Sequence, residues 1–143
     1  MGSELIFKKL EQITQVLNEL ECLLRVPLEA FVRDLTAVRA AERNFQLAVD
    51  LASDINAQIL MERGGKTPDT YRESFAGLEK EGILSGDLAR RLMESAKVRN
   101  ILVHEYDFEE DYEKFYHAAQ ASVPAYREYT KAIYDYIRNL KSV

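Results

Sequence analysis

Residues 6–24, IFKKLEQITQVLNELECLL, place apolar side chains at Ile6, Leu10, Ile13, Leu17, Leu20 and Leu24, in alternating steps of four and three. That spacing returns to one side of an α-helix at every turn and lacks the period-two alternation of a strand. A single apolar stripe on a charged helix must be buried against other helices. The stretch therefore asks for helical partners, and the rest of the chain supplies them.

Pro27 suits the first turn of a second helix, where its missing N–H costs nothing. Leu28, Phe31, Leu35, Val38, Phe45, Val49, Ala52 and Ile59 continue it, and Gly64-Gly65 stops it. At about 36 residues it would span roughly 54 Å if unbroken, with room for a kink near residue 40. Glu42 and Asn56 are the polar members of this repeat. Each either sits at the seam edge and specifies register, or, in the case of Glu42, faces a cationic group from another helix.

Thr67-Pro68 reads as a cap and first helical proline, opening a short helix with Tyr71, Phe75 and Leu78 inward and Gly82 at its end. Ser85 or Asp87 starts the next helix, whose stripe runs Leu88, Leu92, Ala96 and then Arg99. The acidic run Glu109-Glu110-Asp111 suits the N-terminus of the last helix. That helix carries Phe108, Tyr112, Phe115, Ala119, Tyr126, Tyr129, Ile133, Ile137 and Leu140, with an expected kink at Pro124. Its tyrosines read as packing material. The expectation is an all-α, antiparallel bundle of four main helices plus a short one, forming a single domain over residues 1–143.

Composition narrows the function classes. No run approaches the roughly 18 uncharged apolar residues of a membrane span, and Met1-Gly-Ser-Glu-Leu5 lacks the features of a secretory signal. Cys22 is the only cysteine, which points to a reducing, cytoplasmic compartment and to a small apolar packing role. With two histidines, His104 and His117, no metal site is expected, and His117 reads as structural or exposed. There is no phosphate loop or dinucleotide fingerprint, so no cofactor is expected. The net charge of −5 argues against a surface that grips nucleic acid everywhere. Arg90, Arg91, Lys97 and Arg99 form either a solvated face or a local basic site.

Arg99 is the anomaly. A permanent charge falls where the stripe expects an apolar side chain, so a carboxylate or a ligand phosphate must meet it. It opens Arg99-Asn100-Ile-Leu-Val-His104-Glu-Tyr106, an Arg-x4-His-x-Tyr pattern. An arginine that holds a phosphate and a histidine that moves protons suffice to cleave RNA without a metal. Residues five apart lie about 140° apart round a helix. Arg99 and His104 therefore converge only if the helix ends between them or if two subunits contribute. From the residues alone, Tyr106 is a packing phenol that positions His104.

With its Arg-Asn start and Val-His-x-Tyr finish, the segment resembles the signature of the HepT-like toxins of the HEPN superfamily. Helix lengths and order agree over nearly the whole chain, and Leu35 to Ile59, with Arg39, Glu42 and Arg43, resembles the family's long second helix. Glu105 departs from the small residue, commonly Gly, that the family more often carries there. The resemblance implies a homodimer with the motif segments meeting at its interface. It implies a metal-independent endoribonuclease toxin with Arg99 and His104 catalytic, and Asn100 and Glu42 as supporting candidates. It further implies a nucleotidyltransferase antitoxin that transfers AMP to Tyr106 and so silences RNA cleavage. The competing reading is a non-catalytic HEPN-like module that binds a nucleotide or a nucleotidyltransferase, with Arg99 on a phosphate or an internal carboxylate.

Overall fold

The opening stripe is buried along its length: Ile6, Leu10, Ile13, Leu17, Leu20 and Leu24 are all at most 4% exposed. The computed structural model describes residues 2–104 and 111–141, and the side chains of 3–99 and 111–140. Its helices are α1 (Gly2–Leu23), α2 (Leu28–Arg33), α3 (Leu35–Glu62), α4 (Tyr71–Lys80), α5 (Gly86–His104) and α6 (Tyr112–Lys141). There is no strand among the described residues. Cys22, expected to pack, is exposed, because it lies off the stripe that Leu20 and Leu24 bury. No helix is long and apolar enough to cross a membrane among the described residues.

The helix expected from Leu28 onward is divided at Asp34 rather than bent near residue 40. Asp34 leaves helical geometry at φ −105°, ψ 89°, and its carboxylate accepts from Ala37 N at 3.1 Å. An aspartate able to cap a new helix competes with continuing the old one. The short helix α4 also starts later than Thr67-Pro68 suggests. Thr70 is its cap, accepting from Glu73 N at 3.0 Å, while Glu73 reaches back to Asp69 N at 3.0 Å. The Thr-x-x-Glu pattern outcompetes the earlier threonine, which has no such partner three residues on. Ser85 and Asp111 cap α5 and α6 by accepting from Leu88 N and Lys114 N.

Both glycine stops follow one pattern. Gly64 and Gly82 have φ of 83° and 78°, and the residues after them, Gly65 and Ile83, donate to Leu60 O and Leu78 O. These bonds satisfy the carbonyls that a helix end leaves open, and a left-handed residue is needed to make them.

α3 packs against every other helix. Lys9 meets Asp54, while Cys22 and Leu23 share a cleft with Ala40 and Asn44, so α1 runs antiparallel to α3. Tyr112 lies by Arg39, Tyr129 by Asn56 and Tyr136 by Arg63, so α6 runs parallel to α3. Arg91 pairs with Glu128 and Ser95 with Tyr126, while Val98 and Ala118 share a cleft, so α5 runs antiparallel to α6 and hence to α3. The four main helices α1, α3, α5 and α6 thus alternate in direction, and α4 lies outside them along α3. This topology places the end of α5, where His104 lies, at the same end of the bundle as α2, the start of α3 and the start of α6. α6 continues through Pro124.

Asn56, polar on the apolar repeat, is fully buried. The Tyr129 hydroxyl lies 2.6 Å from its Oδ1 and 3.1 Å from Ala52 O, and its Nδ2 donates to Ser74 Oγ at 3.1 Å. One side chain thus sets the register of α3 against α4 and α6. Burial pushes the Tyr126 and Tyr129 phenols well above their ordinary range, so both remain donors. Asn56→Leu takes one core partner from each of the Tyr129 and Ser74 hydroxyls, leaving Tyr129 only Ala52 O and Ser74 only Tyr71 O, and is expected to cost about 1–3 kcal/mol. Urea unfolding measures this, and a loss below about 0.5 kcal/mol would contradict the register role.

Candidate active site around Arg99

Leu88, Leu92 and Ala96 are buried as the stripe requires, and Arg99 follows them with its side chain only 16% exposed. The expected anion is Asp50 of α3. Arg99 Nε donates to Asp50 Oδ1 at 3.2 Å and Nη2 to Oδ2 at 3.4 Å. Tyr71 of α4 donates its hydroxyl to the same Oδ1 at 2.7 Å, and the Arg99 Cζ lies 5.0 Å from the centre of the Tyr71 ring. Three helices therefore converge on one guanidinium. Burial, and then the hydrogen bond to Asp50, raise the Tyr71 phenol above its ordinary value, which keeps it protonated as a donor.

The other cations of this region behave differently. Arg90 pairs with Asp87, Arg91 with Glu128 and Asp87, and Lys97 with Glu94, all with exposed or half-exposed partners. That cluster is an ion-paired solvated face. The bond to Arg91 also lowers the Glu128 carboxyl below its ordinary value. Arg99 alone of the four is turned inward.

Glu42 is 8% exposed and pairs with Arg39 at 2.7 Å. Among the described residues, the cation on Glu42 comes from its own helix, one turn earlier. Arg39 also reaches the Tyr112 hydroxyl at 3.4 Å and lies 5.8 Å from its ring, tying α3 to the start of α6. His117 is exposed, 3.9 Å from Glu113.

Asn100 and His104 are placed as backbone of α5, their side chains and all of Tyr106 lying outside the described residues. α5 runs unbroken from Arg99 to His104, so no helix end between them brings the two together. Among the described residues, no group of three or more His, Cys, Asp or Glu could hold a metal ion. Asp50 and Tyr71 were not singled out from the sequence as site residues. The break in the stripe at Arg99 demands an anion, but nothing in the pattern of α3 marks Asp50 over Asp54.

A family model described as Ribonuclease HepT-like matches residues 8–133. The chain belongs to the HepT-like family. Among HepT-like proteins it is 31% identical over 138 residues to the tRNA nuclease HepT of Aphanizomenon flos-aquae, covering 96% of this chain and 92% of that protein. It is 29% identical over 107 residues to a putative RNase of Archaeoglobus fulgidus, covering 75% and 74% of the two chains. The tri-AMPylated HEPN toxin of Shewanella oneidensis, solved in complex with an MNT antitoxin, superposes with a TM-score of 0.81 over 91% of this HepT-like chain and 96% of its own. At 21% identity that likeness establishes the shared HEPN fold.

Proposed function

We propose that this HepT-like chain is a metal-independent, cytoplasmic endoribonuclease toxin that works as a homodimer. The observation that carries this reading is Arg99. It is a half-buried, oriented guanidinium at the motif position the family uses for catalysis, in a chain 31% identical to a tRNA nuclease. The unbroken α5 supports the dimer, because pairing two subunits is the remaining way to bring Arg99 and His104 sets together.

In the proposed reaction one His104 takes the proton from a ribose 2′-hydroxyl, and the 2′-oxygen attacks the adjacent phosphorus. The bond to the 5′-oxygen breaks, and that oxygen takes a proton from the second His104. Arg99 stabilises the doubly charged phosphorane through its planar donors. The products are a cyclic phosphate end and a free 5′-hydroxyl. A nucleotidyltransferase antitoxin of the MNT class silences the enzyme by moving AMP from ATP to the Tyr106 oxygen, with pyrophosphate leaving.

The second reading, a non-catalytic binding module, is favoured by the Asp50 pair, since an internal carboxylate is what it expects on Arg99. The two diverge in one assay. Purified protein with single-stranded RNA and excess chelator is expected to yield cyclic phosphate ends, while DNA of the same sequence survives. RNA left intact in that assay would favour the binding module.

A further inference from the structure

We propose that Asp50 and Tyr71 are positioning residues that aim one particular edge of Arg99 at the substrate phosphate; this rests on the ribonuclease reading. A guanidinium has five N–H groups in a fixed plane. Asp50 takes Nε–H and one N–H of Nη2, the side edge. The Tyr71 ring covers a face, at 5.0 Å from Cζ. The Tyr71 hydroxyl, 2.7 Å from Asp50 Oδ1, stops the carboxylate from turning away. Among the described residues, what remains for a phosphate is the end edge, both N–H groups of Nη1 and the second of Nη2. Stacking fixes the tilt of the plane, the carboxylate fixes its rotation, and α3, α4 and α5 each supply one anchor.

Charge balance alone does not explain this arrangement. Arg99 needs an anion, but a bare countercharge requires neither the side-on pair with the 37% exposed Asp50 side chain nor the Tyr71 stack. The sign of its effect on activity separates the roles. As an anion beside a phosphate site, Asp50 repels RNA, so deleting its charge should tighten binding and raise activity. As a positioning residue, its loss lets the guanidinium rotate and lowers the chemical step.

The experiment compares wild type, Asp50→Asn, Asp50→Ala and Tyr71→Phe for RNA cleavage under chelator, with thermal melting to show that each is folded. Asp50→Ala is expected to lower kcat about 30–100-fold while KM moves less than about threefold. Asp50→Asn, which keeps one acceptor, and Tyr71→Phe, which keeps the ring, are each expected to lose about 3–10-fold in kcat. Unchanged or faster cleavage by Asp50→Asn, or a loss confined to KM, overturns the proposal.

A second measurement reads the geometry without activity. In wild type the Arg99 Nε–H, assigned by its loss in Arg99→Lys, is expected as a shifted, slowly exchanging NMR signal. In Asp50→Asn it should move toward the position of exposed arginines. Identical signals in the two proteins overturn the positioning claim. If wild type cleaves no RNA, the ribonuclease reading fails and with it the catalytic part of this one. The Nε–H signal then still decides whether Asp50 orients Arg99.

Discussion

His104→Ala is expected to reduce RNA cleavage by about 10³-fold or more, because it removes both the proton acceptor and, through the second subunit, the proton donor. A single substitution in a symmetric dimer strips both roles at once, so the loss should exceed that of a lone general base. Cleavage that needs one neutral and one protonated imidazole gives a bell-shaped pH profile. That profile should vanish with the activity. Arg99→Lys keeps the charge and discriminates further. A lysine ammonium cannot bond Asp50 side-on and also present a planar edge to a phosphate, so about 100-fold of activity should be lost. The measurement is the rate of cyclic phosphate formation on one RNA oligonucleotide under chelator. Equal rates for wild type, His104→Ala and Arg99→Lys would trace the cleavage to a contaminant and remove the enzyme reading.

The architecture was legible because α1 and α3 carry long apolar repeats, and no other element type can bury residues at those spacings. The break at Asp34 was less visible. Capping strength and helix continuation compete within about a kilocalorie per mole at such a residue, and apolar periodicity runs straight through it. The start of α4 turned on a similar local contest, in which Glu73 rewards Thr70 and nothing rewards Thr67. In the site, the intrusion of Arg99 into a stripe foretold a buried partner but not its identity. Asp50 lies 49 residues away along the chain, and Tyr71 reads as one more inward aromatic until the fold brings α4 alongside α3. Glu42 read either as a seam-edge or register residue or as one facing a cation, and among the described residues it is paired with Arg39. Which cation answers it depended on Arg39, one turn away, having a long enough side chain to fold back.

Tyr106→Phe is expected to abolish adenylation while leaving RNA cleavage largely intact, an all-or-none effect on silencing. Wild type co-expressed with an MNT-class nucleotidyltransferase should gain one or more adenylate units by intact mass, and Tyr106→Phe should gain none. A phenol that carried AMP would bring a phosphodiester anion and a bulky base to a chain position two residues after His104. If that anion takes the edge of Arg99 that Asp50 leaves open, modification and substrate compete for the same donors. Silencing should therefore appear as lost RNA binding, not as slowed chemistry on bound RNA. A gel-shift series with His104→Ala protein, adenylated and not, measures this without cleavage interfering. Adenylated protein that still binds RNA with undiminished affinity, or a mass gain that persists in Tyr106→Phe, would detach the modification from the Arg99 edge.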